Sequence, residues 1–314
     1  MLKKLLNAMI IFLLFVCGAW CIFAVPVILH LDKWLAYLFA AAVIILFSGT
    51  FFNRSAMIFL VIIEFTFLLH FVLLTPQQQF KNTQFMRIFA VKPEINYLPD
   101  GKFEVINLRD NRYRSVDDYE DNFIRKVYDP AAVETLDMAT VYWDNMSTAA
   151  HIIFNFKFND GKELAVSVEP RTPLNGSREP WHCMCKQQEL LFVLGTPEDL
   201  LNLRIDHRGE DLYLFHIDFT PDEVRTFLDF IIRKTGKLYH EPEFYNLITS
   251  NCITALIPGL KKARPGLKSD LRMLFNGEFA RLLYEEDMLI HRPEESFESL
   301  KSRSFRKGKS QGKL

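Results

Sequence analysis

Residues 150–171 read AHIIFNFKFNDGKELAVSVEPR, and apolar and polar side chains alternate on both sides of Asn159-Asp160-Gly161. That is a β-hairpin with a three-residue loop and glycine in the left-handed position. The register follows from the loop. On one face Ile152 meets Val168, Phe154 meets Val166 and Phe156 meets Leu164; on the other, Lys157 meets Glu163, Asn155 meets Ala165, Ile153 meets Ser167 and His151 meets Glu169. A slip of one residue would set Glu163 against Phe158 and Glu169 against Ile152, breaking both the apolar face and the charge pairing. A carboxylate opposite a histidine can hold the ring and stabilise its imidazolium, the role of the third member in a nucleophile, base and orienter set. The alternative is an ion pair on a solvated sheet face.

Downstream, TPDEVRTFLDFIIRKTG (220–236) opens with a capping box, Thr220 with Glu223, has Pro221 at the first helical position and predicts a helix ending at Gly236. The chain then runs through Tyr245, Asn246 and Thr249 to SNCITALIPG. Ser250 and Asn251 are capping residues, and CITALI predicts a short helix stopped by Pro258 and Gly259. Cys252 would then stand at a helix N-terminus, where the dipole lowers a thiol from about 8.5 toward neutrality and the Cys252 N–H can donate to an oxyanion. A lone cysteine with a histidine elsewhere is a candidate nucleophile; a packed core thiol is the bland alternative.

The remaining cysteines point elsewhere. Cys17 and Cys21 fall in an apolar run, and Cys183 and Cys185 in WHCMC are too closely spaced for a structural zinc pair. No metal and no cofactor is expected. A net charge of −1 provides no concentrated basic face for nucleic acid.

The first 75 residues are a different material. Uncharged or nearly uncharged stretches at 5–31, 34–53 and 57–74 each predict a membrane helix, since a crossing takes roughly 20 residues. Lys and Arg near the ends tie across the two sides, so charge does not orient the anchor. Glu64, within the third stretch, is a minor functional candidate. Residues 76–100 read as a linker, 101–295 as one domain, and the basic end 296–314 as a solvated tail.

The stretch YWDNMSTAAHIIFNFKFNDGKELAVSVEPR, with QELLFVLGTPEDLLNLRIDHRGEDLYLFHI and EFYNLITSNCITALI, resembles the bacterial family called the Lnb N-terminal periplasmic domain. The residues that carry the likeness are His151; Ser167, Glu169 and Arg171; and Tyr245, Asn246, Thr249, Asn251, Cys252 and Thr254, with Ile253 departing from the family's threonine. VINLRDNRYRS is similar to the family's opening strand, with Tyr113 and Arg114 as site neighbours. The resemblance implies an α+β fold, three transmembrane helices followed by a permuted papain-like, NlpC-type domain with an antiparallel sheet. It implies a cytoplasmic N-terminus and a bacterial inner-membrane, multi-pass protein with its catalytic domain in the periplasm.

The expected chemistry is a Cys252–His151–Glu169 triad, with Asn251, Tyr245, Asn246, Arg171 and Thr254 around the oxyanion and substrate. The expected partners are a phospholipid acyl donor and an amine acceptor, such as a lipoprotein N-terminus. A membrane-tethered cysteine peptidase or amidase of the cell wall, and a non-catalytic assembly protein, are the alternatives.

Overall fold

The computed structural model describes residues 2–142, 148–177 and 179–308. Among them, nine strands form one sheet: β1 (Glu94–Tyr97), β2 (Phe103–Arg109), β3 (Phe123–Tyr128), β4 (Val133–Tyr142), β5 (Ala150–Phe158), β6 (Glu163–Arg171), β7 (Glu189–Gly195), β8 (Leu212–Ile217) and β9 (Phe305–Arg306). The spatial order is β1-β2-β7-β6-β5-β4-β8-β9, with β3 also on β2, and every pairing is antiparallel except the short parallel contact of β2 with β7.

The β5–β6 hairpin has the expected register, Lys157 with Glu163 through Ile153 with Ser167, and Gly161 takes φ +79° in the loop. The β5–β6 ladder ends at Ile153–Ser167. Continued one turn further, the register would bring Pro170 opposite Ala150, and a proline has no N–H to offer its neighbour. Beyond Ile153 the β5 edge is free of β6.

Both faces of the sheet are covered. Phe154, Phe156, Val166, Val168 and Phe192 on one face pack against the helix α4 (Pro221–His240) and α5 (Ile257–Ala263). Ile153, Ala165, Leu191 and Val193 on the other meet Phe89, Leu200 and Ile205. The His151 face is thus buried beneath the 197–208 segment rather than solvated. The Thr220–Glu223 capping box and Pro221 open α4 as expected, but the helix passes Gly236 and ends at His240. Leu238 is buried in the core and Gly236 lies close over Ile95 and Tyr97 of β1, so packing carries the last turn past a residue that would end an isolated helix. At Gly259 a Cβ would stand 2.3 Å from the Phe230 ring, so only glycine lets α5 approach α4 this closely.

The N-terminal helices are α1 (Leu2–Ile28), α2 (Lys33–Gly49) and α3 (Arg54–Leu73). Two of them, α1 and α3, are long and apolar enough to cross a membrane; α2, with 17 residues, is shorter, which corrects the expectation of three membrane spans. Asp32 caps α2 just before the apolar run, and the chain turns after Gly49, trimming the run at its C-terminal end.

The expected linker is also corrected: residues 94–97 are an edge strand on β2, and Phe85 bridges to Pro173. So is the tail, since α6 (Phe297–Ser304) and β9 pack on β8, with Phe297 stacked on Phe215. The aromatic residues in these polar stretches supply the burial. Residues 309–314 of that tail lie outside the described residues. The WHCMC segment joins anchor to domain: Cys185 packs with Cys21, Val25 and Phe67, and Lys186 Nζ donates to the Phe71 carbonyl at the end of α3 (2.8 Å). Among the described residues no cluster suited to a metal occurs.

Candidate active site

Cys252 is seated at the free edge of β5. Its Sγ lies 3.9 Å from the Ala150 carbonyl and 2.9 Å from Asn276 Nδ2, and the backbone N–H groups of Ile152 and of Cys252 itself also act on it. Three N–H donors therefore surround the sulfur. The local chain explains why: Asn251 Oδ1 accepts from the N–H groups of Ile253 (2.8 Å) and Thr254 (2.9 Å), while Thr254 Oγ1 accepts from Asn251 N. This is the expected cap, but it closes one turn at 251–255; the α-helix proper begins at Ile257, and Pro258 starts it instead of ending it. Burial pushes the Cys252 thiol up to about 12, with the Glu169 charge also raising it, so the resting sulfur is protonated, contrary to the lowering expected from a helix terminus. A single turn carries little dipole, and Cys252 is only 2% exposed.

His151 is buried one residue from that edge. Its Nε2 is 2.7 Å from Ser167 Oγ and 3.0 Å from Glu169 Oε1, and Ser167 Oγ donates to Glu169 Oε1 (2.7 Å). Ser167 has one proton and spends it on Glu169, so its oxygen accepts from His151, which places the histidine proton on Nε2. Ser167 and Glu169 both engage Nε2, and Nδ1 is the ring's other nitrogen. Among the described residues no hydrogen bond joins His151 to Sγ. Burial alone would raise the Glu169 carboxyl, but His151, Arg204 and the Ser167 hydroxyl hold it well below the usual carboxylate range.

The folded value of Glu169 lies below its unfolded value of about 4.3, so its stabilisation is full above that pH and is lost as the pH falls through the folded value. Glu169→Gln should therefore lower Tm by a constant amount above pH 5, and the gap to wild type should close as the pH drops below about 4. Scanning calorimetry from pH 7 to pH 2 checks this; a gap independent of pH would contradict it.

The other expected site residues divide. Tyr245 is buried with Cys252, Cys183 and Glu169 as the charges that act on its phenol, raising it well above the ordinary value after burial itself. Arg171 turns away from Glu169: it binds Glu189 (2.8 Å) and the carbonyls of Phe89 and Ala90, with Phe85 under its guanidinium. It pins the Phe89–Ala90 backbone to Glu189. Asn246 folds its own loop by accepting from Ile248 and Thr249, and Asn251 and Thr254 are consumed by the cap. Tyr113 donates to Asp199, and exposed Arg114 pairs with Asp118.

Two neighbours escaped the sequence reading. Asn276 lies in a polar Phe-Asn-Gly turn with no periodic signal, and its Oδ1 is buried without a partner. Arg204, 3.5 Å from Glu169, sits in the wide helical turn Leu203–His207. That segment is held down by Asp199, which is fully buried and bonded twice to Arg109.

A mixed α+β domain that buries a cysteine beside a His–Ser–Glu chain, joined to apolar helices, defines a thiol-site domain on a membrane-type anchor. The chain belongs to the Lnb N-terminal periplasmic domain family, whose model matches residues 119–285, more than half of the sequence. The match spans His151, Glu169, Cys252 and Asn276. No curated protein and no solved structure matched the chain.

Proposed function

We propose that this protein is a membrane-anchored thiol acyltransferase of the papain-like, NlpC-type class, in permuted order. The observation that carries the reading is the convergence of three N–H donors on the Cys252 sulfur, on the strand edge that carries His151, whose Nε2 meets Ser167 and Glu169. His151 Nδ1 takes the Cys252 proton as Sγ attacks the acyl ester of a phospholipid, forming the S–C bond. The carbonyl oxygen becomes an oxyanion held by Asn276 Nδ2 and the N–H groups of Ile152 and Cys252. Collapse breaks the C–O bond, and the lysophospholipid alkoxide leaves with the proton from His151. An amine, such as a lipoprotein N-terminus, then attacks the thioester; its N–C bond forms, the C–S bond breaks, and its proton returns to the thiol through His151. Glu169, acting through Ser167, orients the ring. In this reading the domain faces the periplasm of a bacterial inner-membrane, multi-pass protein.

Membranes bearing wild type or Cys252→Ala, supplied with radiolabelled phospholipid, test the reading. A hydroxylamine-sensitive label in wild type and none in the variant is the expected outcome; no label in either would sink the transferase and favour a peptidase or amidase. The raised, buried thiol also favours a second reading, a non-catalytic binding or assembly protein. Under the transferase reading lipid vesicles speed alkylation of Cys252 by iodoacetamide at least tenfold over detergent, as the site opens. Under the second, alkylation stays slow in both.

A further inference from the structure

Where the anchor meets the domain, a cleft of about 780 Å³ opens between the α1–α2 turn and residues 173–187. Its polar side is lined by His30, Lys33 and His182; its apolar side includes Val27, Leu31 and Trp181. Burial lowers His182, Glu179 opposes that, and the nearby His30 charge adds to the lowering. The His182 Nδ1 atom is buried with no hydrogen-bond partner, although the ring stands beside a half-open cavity. The two carboxylates nearby are Asp32, bonded to the N–H groups of Trp34 and Leu35, and Glu179, which acts on His182.

The position of the cleft matters as much as its lining. It lies at the end of α1 and the start of α2, on the side where α3 hands over to the domain, which is the level of a lipid headgroup if these helices cross a bilayer. Its inner wall is thin. Gln187 lines the cleft, the next residue accepts the Tyr245 N–H through its carbonyl (3.0 Å), and Tyr245 is the residue buried beside Cys252 and Cys183.

We infer that this cleft holds the headgroup of a glycerophospholipid, with the phosphate against His30, Lys33 and His182 and the chain-bearing glycerol along Val27, Leu31 and Trp181. The inference rests on the transferase reading for its purpose, but the binding itself does not require Cys252 chemistry. A lipid seated here meets Lys33 and the two imidazoles at the water level and directs its acyl esters inward toward Tyr245.

Native mass spectrometry of the full chain, titrated with phosphatidylglycerol, tests it. The expected result is a saturable lipid adduct that diacylglycerol of the same chains does not form and that millimolar inorganic phosphate does not displace. His182→Gln with Lys33→Gln should weaken the adduct at least tenfold. Lys33→Glu, an exposed change that leaves the fold alone, should weaken it similarly. Equal binding of diacylglycerol, displacement by inorganic phosphate, or unchanged binding in both variants would each overturn the site. Binding in Cys252→Ala separates the two ideas. A retained adduct with no thioester in wild type sinks the transferase and keeps the site; a thioester with no adduct does the reverse.

Discussion

Membranes carrying the His151→Ala protein are expected to form the Cys252 thioester about 10²–10⁴-fold more slowly than wild type, the usual scale for losing a positioned general base. The resting thiol is protonated, because burial pushes it up to about 12, so attack requires a base at the sulfur. Nε2 of His151 is committed to Ser167 and Glu169, and only Nδ1 can serve. Ser167→Ala separates positioning from proton transfer: it removes the hydroxyl link but leaves the direct 3.0 Å approach of Glu169, so it should cost far less than His151→Ala. The double variant should be no slower than His151→Ala alone, because the two act as one unit. Single-turnover labelling with the acyl donor in excess reads all three. Equal rates for wild type and His151→Ala would remove His151 from the reaction.

The largest effect on stability is expected at a residue that touches no substrate. Asp199 is fully buried; its carboxylate accepts from Arg109 Nε (3.0 Å) and Nη2 (2.9 Å), from Asn111 N (2.8 Å) and from the Tyr113 hydroxyl (3.1 Å). Asp199→Ala should cost about 3–5 kcal/mol, because the Arg109 guanidinium is then stranded in the interior without its counter-charge. That is a large share of a typical domain stability of about 5–15 kcal/mol. Arg109→Met with Asp199→Leu should recover most of the loss, since no charge remains to desolvate. Urea unfolding of the three proteins in one detergent gives the comparison. A single change costing less than about 1 kcal/mol would mean that Arg109 finds water or another partner. Asp199 also anchors the segment that brings Arg204 to Glu169, so the destabilised protein should lose thioester formation as well.

What could be read from the sequence was local. The hairpin register, the Thr220 cap and the Asn251 cap each rest on residues within a few positions of one another, and all three hold. The likeness carried by His151, Glu169 and Cys252 likewise led to the right family. What failed was long-range. Arg171 has Glu189 on the neighbouring strand as its partner, and nothing near Arg171 in the sequence announces this. Asn276 reaches the sulfur from 24 residues away, through a turn whose composition looks like any loop. The depth of Cys252 depends on the helices and loops packed over it, so its protonation could not be read from a capping motif. The edges of the anchor and tail failed for the same reason: Leu238, Phe297 and the 94–97 strand are ordered by partners distant in the chain.

Strands with free edges tend to complete themselves, and a hairpin zips outward from its turn until something interrupts it. Here the ladder stops at Ile153–Ser167, and three residues further on Pro170 has no N–H to give the Ala150 carbonyl, which faces the cysteine instead. The seat of Cys252 is thus an unfinished piece of the sheet. A residue with an ordinary amide at 170 would offer the backbone a bond that competes with the thiol for the same carbonyl. The proline acts as a wedge, and the geometry around Cys252 depends on what the main chain is prevented from doing as much as on the side chains that gather there.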